Sequence, residues 1–443
     1  MAGLANLDQG LIDMPEAPVA IVGGGWAGIA CAVELVDQGV PVALYEAARQ
    51  LGGRARRVDW NGIAIDNGQH LMIGAYRETE RLLARLGSLD KLERRPLELR
   101  APGFHLRLPK LPAPLHLIFG LLFASGLRLG EKFAAARFMR ALQALDFRLP
   151  ADMAASELLR QQGQPAHLVA QLWAPICIAA LNTPLETASG QVFCNVLRDS
   201  LAGVRADSDV LMNRADLGGL LADVALTHLA EHGGEVHLAN KVDMLARQGN
   251  GFFLGGPDIA VSKLVLAVHP ARLPALLSGL PELASIAAQV SGYTWQPILT
   301  LWLRFAAPPA FPFPMLGLGD SQAPWAFERN DIAPGMVAIV MSAQGPHLAR
   351  TPDALRDEYL NLLTRQLGPL PTLLDWKTII EKRATYACTP DLKRPGNHPP
   401  LNGLYLAGDY TAGADPAQAY PATLEGAVRS GVECARLIIA DRK

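Results

Sequence analysis

Charge is scarce in this sequence. Only 19% of its 443 residues are Asp, Glu, Lys or Arg, and 40 basic against 42 acidic residues leave a formal net charge of −2. With no basic excess to neutralise phosphates, nucleic acid is not expected as a partner. Cysteine is scarcer still: Cys31, Cys177, Cys194, Cys388 and Cys434 stand far apart, with no C-x-x-C pair. An odd, scattered set makes neither a disulfide framework nor a zinc site, and reads as core thiols of a reducing compartment. H-E-x-x-H, a P-loop, a Ser-His-Asp order and any metal-ligand cluster are missing as well, so no metal is expected. Long apolar runs are also lacking. The nearest, Leu115–Leu127, is shorter than the ~18–20 residues of a membrane span and sits between prolines and Arg128. It reads as a buried helix or, more sharply, as an interfacial helix touching a membrane. The first eighteen residues carry Asp8, Asp13 and Glu16 but no Lys or Arg, unlike a signal or transit peptide, and are expected to form a loose tail.

Apolar surface is what the chain has in quantity. Half of its residues are hydrophobic, and mean hydropathy is +0.16. The length corresponds to roughly three 150-residue domains. A large core follows, in two intimately joined domains or one large one, and disorder, collagen and coiled coil are excluded. So low a charge suits an apolar ligand, a membrane surface or a large oligomer interface.

Pro18–Val22 is a short apolar run of the kind that a parallel strand covered on both faces needs. It leads into Gly23-Gly24-Gly25-Trp26-Ala27-Gly28, then a helical pattern, a stop at Gly39 and a second strand at Val40–Tyr45. Gly23 suits the tight turn, Gly25 a close backbone approach to pyrophosphate, and Gly28 the packing of helix on strand. The helix start at Trp26 and Ala27 offers amides and a positive dipole end to phosphates. Glu46 ends the second strand, where a carboxylate accepts from ribose hydroxyls and repels the extra phosphate of NADP. That unit alone leaves NAD and FAD open. Next, Leu51-Gly52-Gly53-Arg54 joins two glycines, which let backbone close over a ligand, to a guanidinium suited to phosphate. In Asp66-Asn67-Gly68-Gln69-His70, small Gly68 and polar Gln69 suit a loop along a flat ring, and His70 a contact with ring or substrate.

The far end of the chain supplies a matching half. Gly403–Ala407 reads as a buried strand ended by Gly408-Asp409, whose carboxylate can accept from a sugar-alcohol chain. Thr423, Leu424, Gly426 and Ala427 begin a buried helix whose positive end aims at the same site and would stabilise charge on a reduced flavin. Together, the G-x-G-x-x-G, Glu46, the G-G-R at 52–54, the terminal Gly-Asp and the P-A-T-L-E-G-A at 421–427 resemble the FAD-dependent amine oxidase and phytoene desaturase superfamily. Three longer stretches, 66–76, 172–201 and 381–395, are similar to its hydroxysqualene dehydroxylase branch, and the similarity covers nearly all of 18–440. The small loop Ala412–Gln418 departs from the pattern.

Strand-like Val236–Leu238 and Lys263–Val268 return the chain to the nucleotide domain, which is therefore discontinuous. The expected fold class is α/β: a Rossmann-like FAD-binding domain from 17–105, 206–275 and 385–443, with a mixed α+β substrate domain from 106–205 and 276–384. A membrane-contacting helix is expected near 109–129. The resemblance implies non-covalent FAD, a backbone contact from Val242 to the adenine, and reduction of hydroxysqualene to squalene and water. It also implies an apolar C30 isoprenoid in the pocket, upstream squalene-pathway enzymes as neighbours, and a cytoplasmic protein peripheral on the inner face of the membrane. Gly249-Asn250-Gly251 is not a second G-x-G-x-x-G, because Leu254 stands where the third glycine belongs. An external electron donor, a reductase or diffusing reduced flavin, is therefore expected. His70, Tyr410 and Tyr420 are the candidate donors to a leaving hydroxyl. The rival readings are a carotenoid-type desaturase, an amine oxidase, which the low charge of the substrate segments speaks against, and a non-catalytic flavoprotein scaffold.

Overall fold

A computed structural model describes residues 17–319, 324–413 and 418–442. The expected N-terminal tail and residues 414–417 of the departing loop lie outside the described residues. The architecture is built on a five-stranded parallel sheet in the order Glu235–His237, Val42–Tyr45, Val19–Val22, Leu264–Leu266 and Leu404–Leu406. Its central strands are buried residue for residue, which is why they read as unbroken apolar runs. Two strands come from near the N-terminus, two from the middle of the chain and one from near its C-terminus, so the sheet forms only when distant segments meet.

Two helices cover one face. Trp26–Val36 packs along Leu424–Ala440, and the contact is backbone-close: a Cβ on Gly431 would lie 2.1 Å from the carbonyl oxygen of Ala27. The helical pattern that the sequence shows over Leu217–His232 becomes Gly218–Ala222 and Asp223–Glu231 in succession. Gly249-Asn250 makes the turn of an antiparallel hairpin, Met244–Gln248 with Gly251–Gly255.

A second five-stranded sheet is antiparallel, in the order Met315–Gly317, Trp325–Glu328, Met336–Ser342, Trp295–Phe305 and Leu373–Tyr386. The helix Pro352–Leu367 seals its outer face through Leu355, Tyr359 and Leu363. Leu373–Tyr386 gave no strand signal in the sequence. It is an edge strand, and its Lys377, Glu381, Lys382 and Arg383 interrupt any apolar alternation. Between the sheets runs a mainly helical segment, from Leu115–Phe123 to Gly190–Leu197. Among the described residues no helix is long and apolar enough to cross a membrane.

The helix contact is testable. Gly431→Val forces a branched side chain into the Ala27 carbonyl and should cost about 3 kcal/mol in denaturant unfolding. Gly130→Ala, where a Cβ meets nothing within 4 Å, should be neutral or slightly stabilising.

Candidate functional site

At the C-terminal edge of the parallel sheet, the glycine turn is dictated by space. Gly23 has φ +110°, and a Cβ there would lie 2.6 Å from the Ala267 carbonyl oxygen; one on Gly28 would lie 1.9 Å from the carbonyl oxygen of Gly23. Glu46 locks the turn: its Oε2 accepts from the Gly24 amide at 2.7 Å and its Oε1 from the Ala48 amide at 2.8 Å. No side chain caps the helix that starts at Trp26, so its first amides remain for an anion. The second glycine pair meets the first back to back. Gly52 donates its amide to the Gly24 carbonyl at 2.8 Å, and Gly53, at φ +63°, would place a Cβ 3.0 Å from the Gly25 Cα.

Arg54 then ties both chain halves together. Its Nη2 lies 2.7 Å from Asp409 Oδ2 and its Nη1 donates to the Ala384 carbonyl at 2.6 Å. The guanidinium expected to meet phosphate is thus held by a carboxylate 355 positions away. Asp409 keeps its other oxygen, Oδ1, buried and, among the described residues, without a partner. On the last helix, Thr423 Oγ1 accepts from the Gly426 amide at 3.1 Å and caps the N-terminus.

These residues line one end of a cavity of about 770 Å³. Gly23, Gly25, Trp26, Ala27, Glu46, Gly53, Arg54 and Val242 line that end, and Gly68, Gln69, His70, Gly408, Asp409, Thr423, Leu424 and Ala427 also line the cavity. Gly28 and Gly426 stand behind the wall, as packing residues. Tyr410 is also behind it, fully buried against Gly408, its hydroxyl without a partner among the described residues. Tyr420 is outside too and donates its hydroxyl to Asp199 Oδ2 at 2.7 Å. The far end is apolar, with Leu97, Leu99, Ile176, Leu201, Trp325 and Phe327.

His70 enters this cavity on a loop that is held from below. Its Nδ1 donates to the Gly68 carbonyl at 2.7 Å, which leaves Nε2 as an acceptor. Burial, only partly opposed by that bond, and the nearby Arg54 and Arg329 push its pKa down to about 4. At neutral pH the ring is uncharged. The support beneath it is Arg329, 1% exposed, which no motif signalled in the sequence. Arg329 donates to Asp66 Oδ2 at 3.2 Å, to Gln69 Oε1, and to Asp331 Oδ2 at 2.9 Å. Burial raises the pKa of Asp66, and Arg329 with the Leu217 amide opposes that rise. Asn182 and Thr385 were also missed. Asn182, left-handed at φ 45° after the helix Ala174–Leu181, donates its Nδ2 to Thr385 Oγ1 at 3.0 Å. Thr385 lines the cavity, and among the described residues its own O–H has no acceptor.

Do these residues fit a dinucleotide with a ring? The uncapped helix, the paired glycines and the orphaned Asp409 Oδ1 provide anion donors, room for close approach, and an acceptor for a hydroxyl. They fit. Residues 26–439 match the family described as flavin containing amine oxidoreductase. The chain belongs to this family. The hydroxysqualene dehydroxylase of Sinorhizobium fredii is 29% identical over 96% of this chain and 98% of its own. That of Rhodopseudomonas palustris is 28% identical over 95% and 98%. Among solved structures, cyclohexylamine oxidase from Brevibacterium oxydans superimposes with a TM-score of 0.66 at 16% identity, covering 97% of this chain and 100% of its own. The protein is an FAD-dependent oxidoreductase of the amine oxidase and phytoene desaturase family.

Arg329→Met leaves Asp66 buried without its cation and should cost about 3–5 kcal/mol in chemical denaturation, with Arg329→Lys restoring part of it. His70 should shape acid stability. Its folded pKa lies below the unfolded value, so its contribution is complete above pH ~6.5 and is lost as pH falls toward 4. Melting temperature measured across that window should fall less steeply for His70→Gln than for wild type.

Proposed function

We propose that this chain reduces hydroxysqualene to squalene and water, with non-covalently held FAD as the redox group. The observation that carries the reading is the make-up of the cavity's substrate end. Among the described lining residues drawn from 106–205 and 276–384, only Glu381 bears a charge. A pocket so poor in carboxylates suits a long isoprenoid and is a poor cage for an ammonium ion, which weighs against an amine substrate. The names of the curated relatives support the same substrate.

Gly25, Trp26 and Ala27 would hold the pyrophosphate, Glu46 the ribose, Val242 the adenine, Asp409 Oδ1 a ribityl hydroxyl, and the Thr423–Ala427 turn the charged edge of the ring. When bound and reduced, FAD supplies the hydride and the balancing proton, so that the alcohol becomes hydrocarbon and water while the flavin is oxidised. The protein orients the leaving oxygen. Thr385, its Oγ1 already accepting from Asn182, donates its O–H to that oxygen, and neutral His70 accepts a hydrogen bond from the substrate hydroxyl at Nε2, with no proton transferred to it. The aliphatic and aromatic wall excludes water, which would otherwise capture an allylic cation. Tyr420 is committed to Asp199, and Tyr410 would have to move from behind Gly408 to take part. Electrons come from a separate reductase or from diffusing reduced flavin, and squalene-pathway enzymes supply the alcohol at the cytoplasmic face of the membrane.

A carotenoid-type desaturase is the second reading, favoured by the same apolar pocket; there hydride would leave the substrate. Anaerobic incubation of photoreduced protein with hydroxysqualene separates the two. Squalene by mass analysis, with flavin reoxidation, is the expected outcome; unchanged alcohol and a flavin that stays reduced would refute it. Thr385→Val should lower the single-turnover rate roughly tenfold, the worth of one lost hydrogen bond.

A further inference from the structure

The helix Leu115–Phe123 is oriented against the usual rule. Its buried face holds His116 and Gly120, while Leu115, Ile118, Phe119 and Leu122, at helical spacing, point outward with Phe123. Phe123 is 76% exposed. The next helix, Leu129–Ala144, continues the surface with Leu129 and with Phe133, which is 74% exposed, one turn apart. Scattered exposed apolar residues are ordinary; seven on one helical pair mark a surface that is covered by something.

The charge around them says by what. Residues 105–148 contain seven Lys or Arg and two acidic residues, in a chain whose net charge is −2. Glu131, one of the two, is buried. Arg107, Lys110, Arg128, Arg137 and Arg140 are exposed at the margins of the apolar face. An apolar centre with a cationic rim matches the interface of an anionic bilayer.

The inner face of the same helix touches the cavity wall. His116 Nε2 lies 3.2 Å from Ser208 Oγ, which donates to the Ser200 carbonyl at 2.7 Å, and both serines line the cavity. A Cβ on Gly120 would come within 2.5 Å of the Leu108 side chain, so the helix lies close against the segment that follows Phe104–Arg107. The His116–Ser208 contact thus joins the buried face of this helix to a residue that lines the cavity. We propose that this helical pair docks on an anionic lipid leaflet and that the cavity loads from the bilayer past His116 and Ser208. The lipid-borne nature of the cargo rests on the functional reading above; the docking does not.

Flotation with vesicles of phosphatidylglycerol and phosphatidylcholine, and of phosphatidylcholine alone, tests it. Wild type should bind the anionic vesicles and be released by salt. Phe123→Asp with Phe133→Asp should weaken binding at least about tenfold, and Arg137→Glu with Arg140→Glu should abolish the anionic preference. Because all four side chains are exposed, circular dichroism should show the fold unchanged. With hydroxysqualene embedded in the vesicles, turnover by the double aspartate variant should fall in step with binding. In detergent micelles it should equal wild type. Wild type that ignores vesicles, a double aspartate variant that binds as well as wild type, or a wild-type dimer that this variant splits without any lipid binding, would overturn docking. Variant and wild type turning over vesicle-embedded alcohol equally would overturn loading from the bilayer. Vesicle binding with no reduction of the alcohol in either format would instead remove the functional reading and leave docking in place.

Discussion

The Arg54–Asp409 ion pair is the contact on which the site depends. It joins the segment after the second strand to the segment after the last one, and Arg54 also takes in the Ala384 carbonyl at the end of the antiparallel sheet. Three parts of the chain thereby converge on one side chain. The pair is only partly dry, since Arg54 keeps 29% exposure, so its contribution to stability is modest beside its effect on geometry. What it determines is the direction of Asp409, whose second oxygen is left buried and, among the described residues, without a partner. A buried acceptor of that kind costs free energy until a ligand hydroxyl satisfies it.

Arg329 plays the corresponding part between the two sheets. A guanidinium 1% exposed, held by Asp66, Asp331 and Gln69, sets the loop that carries His70. Burial and two neighbouring cations then keep that imidazole neutral. A residue suggested as a proton donor is in this setting an acceptor, and the reversal comes from surroundings that its own sequence neighbours do not reveal. The apolar walls supply the remaining condition, a space where water competes poorly.

The parallel sheet was legible because four of its five strands, all but Glu235–His237, are buried throughout and therefore apolar without interruption, and because glycine alone fits at Gly23 and Gly28. The glycine turn, Glu46 and the Gly-Asp ending could be read for the same reason: local backbone geometry restricts the residue type. Leu373–Tyr386 could not be read, since an edge strand with one wet face carries charges that hide its alternation. Arg329, Asn182 and Thr385 were invisible because their roles are contacts across more than a hundred positions, and nothing nearby in the chain distinguishes them.

By itself, then, the sequence determined the nucleotide half of the protein, where short-range sterics and helix-end electrostatics specify residues one at a time. Only the tertiary structure decided which polar groups face the cavity, which protonation state His70 holds, and which side of the helix Leu115–Phe123 is wet. Those properties depend on what lies across the fold from each side chain, and burial and neighbouring charge are set by packing rather than by order along the chain.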